Sequence, residues 1–399
     1  MTEWNNLSLI DIIEIIGGGT PKTSKAEYWN GNINWLSVKD FNNDNRYVYS
    51  TEKKITEEGL NNSSTKLLQK DDIIISARGT VGEMAMIPFP MAFNQSCYGI
   101  RAKECVNSTF LYYLIKNSVK KLKVMTHGSV FDTITRDTFA TINVDIPDIE
   151  VQCRIAKILS DIDDKIENNQ KINNNLLEQL NQLYVEFSTR SEWSEMTIGD
   201  IAEKVAMGPF GSNIKVSTFV EYGIPIISGN HLRGYFLEEP SYNYITKEHA
   251  EKLKNSVVHP KDIIFTHAGN IGQVAMIPDG CEFPYYVLSQ RQFYLRCNTK
   301  LVVPEYVLLF FHSKKGQNEL LSYANQTGVP SIAQPATNLK KIRLPVPSLD
   351  EQKDWLLVVA PIITMYQNNY QETKRLAMLR DTLLPKLMSG ELDVSNIDL

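Results

Sequence analysis

Two long stretches of the chain place hydrophobic residues at intervals of three and four, the spacing that puts them on one face of an α-helix. The pattern predicts two helices of about 35 residues, each on the order of 50 Å long. Pro385 is expected to stop or kink the second helix near its end, because proline lacks the backbone N–H that a helix interior requires. The first apolar stripe consists of Ile155, Ile158, Leu159, Ile162, Ile166, Ile172, Leu176, Leu177, Leu180, Leu183, Tyr184 and Phe187. The second consists of Trp355, Val359, Ile362, Ile363, Tyr366, Tyr370, Leu376, Leu379, Leu383, Leu384 and Leu387.

Two apolar stripes in one chain can bury each other, and the expected arrangement is an antiparallel coiled coil. Such a rod would hold two domains at a fixed distance. The side chains expected to form this spacer, and to be available for docking other subunits, are Ile155, Leu159, Ile162, Ile166, Leu176, Leu180, Leu376, Leu379, Leu383 and Leu387.

The sequence outside the stripes contains two copies of one unit, and internal repeats of this kind reveal the architecture. Five ordered anchors agree, with offsets that drift from 189 to 200 residues. They pair 4–12 with 193–201, 33–39 with 224–230, 79–88 with 269–278, 126–130 with a segment around 327–331, and 146–152 with 346–352. The copies diverge most between 39–66 and 230–256.

Within each copy, short β-branched runs end in glycine-containing turns and read as strands of a sheet. The runs 73–75 and 263–265 lead to turns at Gly79 and Gly82 and at Gly269 and Gly272. The fold class expected is therefore α+β: two similar mixed α/β domains separated by two long helices that form an antiparallel coiled coil. The predicted boundaries are 1–148 and 191–347 for the two domains, 149–190 and 348–392 for the helices, and 393–399 for a tail.

Composition supports a globular protein of more than one domain, with 399 residues, 43% of them hydrophobic and 22% charged. The sequence predicts neither a signal peptide nor a membrane span, and five scattered cysteines without a CxxC pair favour reduced thiols in a cytoplasm. The net charge of −5 argues against a protein that coats DNA. It leaves room for DNA binding at a locally basic surface or with a basic partner.

Motifs for catalysis are missing. Residues 17–23 place Pro21 where a Walker A loop needs Gly before Lys, so a turn is expected there. Neither a methyltransferase motif nor a convincing nuclease triad occurs, and the six histidines lack metal-binding spacing. No Gly-x-Ser-x-Gly elbow is present. We therefore expect no catalytic residue, no metal site and no cofactor in this chain.

DNA recognition needs side chains on loops that can form paired hydrogen bonds with base edges or contact phosphates. The polar loops of both copies provide such side chains, and their chemistry differs at matching positions. The candidates in the first copy are Lys39, Asn42, Asn43, Arg46, Arg78, Thr80, His127 and Ser129. Those in the second copy are Asn230, His231, Arg233, His267, Asn270, Gln326 and Ser331.

Several motifs resemble those of Type I restriction–modification specificity subunits, and the resemblance spans essentially the whole chain. They are Gly-Gly-Thr-Pro at 18–21, Ile-Asn-Trp-Leu at 33–36, the run 72–82, the run 146–159 and the closing run 379–392. The second copy departs from the pattern at 207–211 and 354–358, which leaves the details of its first turn and of its helix packing open.

The resemblance implies that each domain binds one half of an asymmetric, bipartite site in double-stranded DNA while the coiled coil sets the gap. It further implies that two modification subunits carrying S-adenosylmethionine dock on the helices, and that ATP- and Mg-dependent restriction subunits join them. Two other interpretations stay open: a coiled-coil adaptor that binds only protein, and a divergent nuclease or methyltransferase.

Overall fold

The computed structural model describes residues 4–125, 133–189, 193–238, 241–325, 328–395 and 397. The α-helices within this part are α1 (Leu9–Ile12), α2 (Val38–Phe41), α3 (Glu57–Asn61), α4 (Ser108–Met125), α5 (Arg136–Thr141), α6 (Ile149–Ser188), α7 (Ile198–Ile201), α8 (Lys247–Lys252), α9 (Pro304–His312), α10 (Lys314–Leu321), α11 (Pro335–Leu339) and α12 (Leu349–Met388). Short 3-10 helices cover Ala26–Tyr28, Gly211–Asn213, Val216–Thr218, Gly229–His231 and Lys254–Ser256.

The strands of the first copy are β1 (Asn5–Ser8), β2 (Ile13–Gly17), β3 (Trp29–Leu36), β4 (Lys53–Ile55), β5 (Leu67–Leu68), β6 (Ile73–Ser76), β7 (Met84–Met86), β8 (Met91–Phe93), β9 (Cys97–Ala102) and β10 (Asn143–Ile146). Those of the second copy are β11 (Glu195–Thr197), β12 (Ala202–Met207), β13 (Ile224–Ile227), β14 (Asn243–Ile245), β15 (Val257–Val258), β16 (Ile263–Thr266), β17 (Val274–Met276), β18 (Tyr286–Leu288), β19 (Gln292–Cys297), β20 (Ala324–Asn325), β21 (Ser331–Ile332) and β22 (Arg343–Pro345).

The same sheets occur in both copies. The order β2-β9-β6-β7 is matched by β12-β19-β16-β17, and β4-β3-β8-β5 by β14-β13-β18-β15. The pair β1-β10 is likewise matched by β11-β22. The tandem mixed α/β architecture expected from the repeat is confirmed.

Equivalent ion pairs between an arginine and a buried aspartate hold the two main sheets. Arg101 of β9 donates through Nε and Nη2 to Asp72 at 2.9 and 2.7 Å, and Arg296 of β19 donates to Asp262 at 2.8 and 2.6 Å. A two-pronged guanidinium–carboxylate pair satisfies a buried carboxylate that would otherwise be costly. Its presence in both copies shows that the repeat preserves side-chain contacts as well as strands.

The start of each long helix is tied to its own sheet domain by one glutamine. Gln152 accepts from the Asn107 amide at 2.9 Å and donates to the Pro147 carbonyl at 2.9 Å. Gln352 accepts from the Val303 amide at 2.8 Å and donates to the Pro347 carbonyl at 2.9 Å. Both glutamines are almost completely buried, so these bonds replace the water that the backbone groups lose.

The chain divides into two compact units, Met1–Ile172 with Asn368–Leu399, and Asn173–Gln367, so each long helix contributes a part to each unit. Within the first unit, Asp163 and Asn169 of α6 bond to Arg380 and Glu372 of α12, so the helices run antiparallel. Within the second unit, the ring of Phe187 stacks on Trp355 at 5.3 Å, and Asn173 donates to the Tyr366 carbonyl at 3.2 Å. The expected antiparallel pairing of the two helices is confirmed.

The two helices are 40 residues long, against about 35 expected from the length of the apolar stripes. Ile155, Leu159, Ile166, Leu176, Leu180 and Leu387 are buried, whereas Ile162, Leu376 and Leu383 are half-buried. Leu379 was wrongly placed in the stripe: its side chain is 46% exposed, and Arg380 faces inward instead. Pro385 does not stop α12, which continues to Met388. A proline near a helix end forfeits one hydrogen bond, and the burial of Leu384 and Leu387 holds the last turn.

Across the part of the chain that the structure describes, no helix is both long and apolar enough to cross a membrane.

Candidate nucleic-acid interface

Several polar loops of the first unit meet at one edge of its sheets. Strands β3 and β8 are parallel neighbours, so the loops that follow them start from the same edge. The amide of Asn94 after β8 donates to the Leu36 carbonyl at the end of β3, at 3.0 Å. The amide of Ala77 after β6 donates to the Ser96 carbonyl at 2.8 Å, which brings a third loop to this edge.

The loop after β6 is a tight turn whose backbone requires glycine. Gly79 and Gly82 have φ angles of +79° and +84°, and their counterparts Gly269 and Gly272 have +88° and +87°. Arg78 and Thr80 are exposed on the first turn. Arg78 also forms a β-bridge with Thr133, so this turn is joined to the segment after α4. The predicted turns are confirmed.

The loop after β3 starts with a capping arrangement at α2. Asp40 accepts from the amide and hydroxyl of Ser37 at 2.7 and 2.8 Å, which fixes the first turn of this short helix. Lys39, Asn42 and Asn43 are exposed, and the Asn43 side chain also accepts from the Asn45 amide at 3.2 Å. Their exposure leaves the three side chains accessible to a ligand.

Arg46 does not lie on this surface, contrary to expectation. Its side chain is buried, contacts the Tyr47 ring at 4.8 Å and donates to Asp164 of α6. A guanidinium held between the sheet domain and the helix cannot reach a base edge in this arrangement. Arg46 therefore positions the loop. This role could not be predicted from the sequence, because the sequence does not show whether an arginine in a polar loop points inward or into solvent.

His231 in the second unit is also buried, which corrects a second candidate. Its Nδ1 accepts from the Ser228 amide at 2.9 Å and its Nε2 donates to the Ser241 carbonyl at 2.8 Å. The ring stacks on Tyr242 at 4.6 Å. His231 thus occupies the capping place that Asp40 has in the first unit, while Asn230 and Arg233 beside it are exposed.

The turn after β16 brings a second group of candidates together. His267 is half-buried and donates from Nε2 to the Gln290 carbonyl at 3.1 Å, whereas Asn270 is exposed. Ser331 is half-buried and forms a β-bridge with Ala268. This bridge is the counterpart of the one between Arg78 and Thr133 and confirms that the loops of the two copies correspond.

Sequence reasoning missed the loops that follow β8 and β18. Gln95, Gln290 and Arg291 are exposed there, next to the candidate turns. Thr20 donates to Gln95, and Gln290 donates to the Gly211 carbonyl, so the first turn of each copy also packs at this edge. The repeat could have revealed these loops, because the polar segments Asn94-Gln-Ser-Cys and Ser289-Gln-Arg-Gln follow the equivalent strands β8 and β18.

Three further candidates, His127, Ser129 and Gln326, lie outside the described residues.

The assembled surface suits recognition of a polyanion with mixed hydrogen-bonding groups. Exposed cations and exposed amides share loops in both units: Lys39 with Asn42 after β3 in the first, and Arg291 with Gln290 after β18 in the second. Cations supply phosphate contacts, whereas arginine and the amides can also form paired bonds with base edges. The overall charge of −5 is therefore compatible with local basic groups at this edge.

Known proteins share both the sequence and the fold of these units. The family described as Type I restriction modification DNA specificity domain matches residues 1–178 and again residues 190–370. The Type I restriction enzyme MjaIX specificity subunit of Methanocaldococcus jannaschii is 28% identical over 430 aligned residues, which cover 99% of this chain and 95% of that protein. The EcoR124I/EcoR124II specificity subunit of Escherichia coli is 32% identical over 169 residues, 40% of this chain and 41% of that protein.

A solved structure shares the fold at low sequence identity. The S subunit of a Type I restriction–modification system from M. genitalium has a TM-score of 0.58 and 15% identity, with 97% of this chain and 96% of that chain covered. Two matched domains in one chain define a protein with tandem DNA specificity modules. The chain belongs to the family of Type I restriction–modification specificity subunits, as the sequence motifs indicated.

Proposed function

We propose that each recognition domain reads one half of an asymmetric, bipartite DNA site through the polar loops at its sheet edge. The proposal rests on one observation: the two units have the same framework of strands and turns, but their loops present different side chains. Strand order, glycine turns and the Arg–Asp ion pairs are the same in both units, whereas Lys39 corresponds to Asn230 and Arg78 to Ala268. Two domains that recognise different base sequences need different hydrogen-bonding side chains at equivalent positions of the same framework.

The paired helices set the distance between the two half-sites. A helix of 40 residues is about 60 Å long, enough to separate contacts by one helical turn of DNA, about 34 Å. A coiled coil suits this role because its length is set by the number of residues.

This chain supplies recognition, and its partners supply the chemistry. Two modification subunits that carry S-adenosylmethionine dock on the helices and methylate adenine, and restriction subunits that use ATP and Mg join them. The sequence supports this division of labour, because it carries neither a methyltransferase motif nor a nuclease triad. The acidic net charge also favours partners that contribute phosphate contacts.

DNA footprinting tests whether each domain binds one half of a bipartite DNA site. A complex of the full chain with its modification subunits is expected to protect two short DNA sequences with an unprotected gap between them. Replacing 1–150 with the first domain of another family member should change one half-site only. Protection that ignores sequence would favour the adaptor interpretation, and a change in both half-sites would contradict the assignment of one half-site to each domain.

The spacer role has its own test. Inserting one heptad in α6 and a matching heptad in α12 should widen the gap and leave both half-sites unchanged. An unchanged gap would refute the role. Turnover by the isolated chain with Mg or S-adenosylmethionine would refute the non-catalytic assignment.

A further inference from the structure

The second unit contains an open groove of about 600 Å³ where the end of α6 meets the start of α12. Phe187 and Trp355 stack nearly parallel in its wall, with ring centroids 5.3 Å apart, and Trp193 packs on Phe187 at 4.8 Å. Its other lining residues are Leu183, Val358, Glu186, Glu351 and Asp354. The charged groups lining this aromatic groove are thus all carboxylates.

The surroundings of the groove also have features of a binding surface. Val358, which lines the groove, is 56% exposed, and Leu357 beside it in the sequence is 76% exposed. Adjoining exposed apolar side chains are common at interaction sites. Trp355 is 7% exposed, and its buried Nε1 has no hydrogen-bond partner among the described residues. Ser348 donates to Glu351 from its hydroxyl and its amide, and these bonds lower the pKa of that carboxyl.

The corresponding place in the first unit is covered by the chain itself. The repeat pairs Trp4 with Trp193, Ile155 with Trp355 and Leu387 with Phe187. Here the segment after α12 returns over the helices: Gly390 lies so close to Trp4 that an added side chain would meet its ring at 3.0 Å. Val394 is buried in the same core as Ile155 and Leu387.

The charges around the covered place in the first unit are the reverse of those around the open groove. Arg154 and Lys386 stand where the second unit has Asp354 and Glu186. Lys386 pairs with Glu391 of the covering segment at 3.3 Å, and Arg154 donates to the Ser395 carbonyl. In the first unit, basic side chains at the helix ends thus bind an acidic segment. By the same charge complementarity, the acidic groove of the second unit would bind a basic segment.

We propose that this groove receives a segment of a modification subunit in which an aliphatic residue is flanked by Lys or Arg, as the first unit receives its own segment 389–395. The inference rests on the proposed docking of modification subunits on the helices. The aliphatic residue would pack on Val358 and Leu183, and the cation would meet the carboxylates and the aromatic faces. The C-terminal segment of a second copy does not fit, because Glu391 and Asp393 would bring like charges together.

Assembly of the full chain with the modification subunits of its own system tests the groove. The double variant Glu186→Lys, Asp354→Lys should weaken assembly about tenfold or more and reduce its dependence on salt. Both side chains are exposed, so the variant should keep the melting temperature of the wild type. Glu178→Lys, an exposed carboxylate of α6 outside the groove, is the matched control and should assemble normally.

A photo-crosslinker in place of Val358 gives a second measurement that leaves the charges unchanged. Adducts with a basic segment of the modification subunit would support the proposal. Adducts with a second copy of this chain, or with an acidic segment of the partner, would overturn it, as would unchanged assembly of the double variant. Failure of the wild-type chain to bind modification subunits at all would instead overturn the proposed function.

Discussion

Arg380 of α12 donates through Nη1 to Asp163 of α6 at 2.9 Å, and their side chains are only 4% and 6% exposed. The Tyr113 hydroxyl donates to the other oxygen of Asp163 at 2.6 Å. Arg380 also donates to Asp44, at 2.8 Å, in the loop that presents Asn42 and Asn43. One buried guanidinium therefore joins both spacer helices to a candidate recognition loop.

We expect Arg380→Ala to lower the free energy of unfolding of the first unit by about 3–5 kcal/mol, because it leaves the buried carboxylate of Asp163 without its cation. Denaturant unfolding of the full chain measures the change. Arg375→Ala on an exposed position of the same helix should change the free energy by less than about 1 kcal/mol. Equal effects of the two variants would show that the buried pair contributes no special stability.

His312 should make the second unit sensitive to mild acid. Burial lowers its pKa to about 4, although the hydrogen bond from the ring to the Val274 carbonyl, at 3.0 Å, opposes the shift. The ring also stacks on Tyr235 at 3.6 Å. Because the folded-state pKa lies below the unfolded value near 6.5, the unfolded chain takes up the proton first as pH falls. The free energy of unfolding therefore decreases as the pH falls from about 6.5 towards 4, and at pH 5.5 the decrease is roughly 1 kcal/mol.

His312→Gln is expected to remove this part of the pH dependence, since an amide can still donate to Val274 but does not titrate. Denaturant midpoints at pH 7.5 and pH 5.5 give the measurement. His259→Gln, the same replacement at an exposed position of the second unit, is the matched control variant. An unchanged slope in His312→Gln would contradict the assignment.

Gln352→Ala should destabilise the junction of α12 with its sheet domain by about 1–3 kcal/mol, because the Val303 amide and Pro347 carbonyl lose their partner in a buried place. Gln152→Ala is the equivalent change at α6 and should have a similar effect. Hydrogen exchange of the Val303 amide provides a local reading. Protection of this amide that survives Gln352→Ala would rule out the glutamine as its main partner.

Arg78→Ala should weaken binding to the first half-site, and Arg291→Ala binding to the second, by about 1–3 kcal/mol if each arginine contacts a base. Competition binding with DNA altered in one half-site measures the effect. Lys70 and Lys300 are exposed cations at the far ends of the strands that carry these arginines, and their alanine variants are the controls. A uniform loss on all DNA would indicate a phosphate contact instead.

The fold was largely predictable because its signals are local or repeated. The runs at 73–75 and 263–265 became strands β6 and β16, and the turns at Gly79 and Gly269 have the positive φ angles that glycine permits. The candidate site was predictable only in part. Arg46 and His231 have the same polar character as Asn42 and Arg233, yet contacts distant in the chain bury the first two. The domain boundaries remain a prediction.

By itself, the sequence determined that the chain holds two copies of one unit and two long amphipathic helices, because repeat and period depend only on the order of residues. The tertiary structure decided which side chains face inward. Arg380 replaces Leu379 in the helix interface because Asp163 and Asp44, remote in sequence, converge on its guanidinium. It likewise decided that the chain covers the helix ends in one unit and leaves an acidic groove in the other. Such differences depend on the distances in the folded protein between residues that are far apart in the chain. These distances cannot be read from the order of residues.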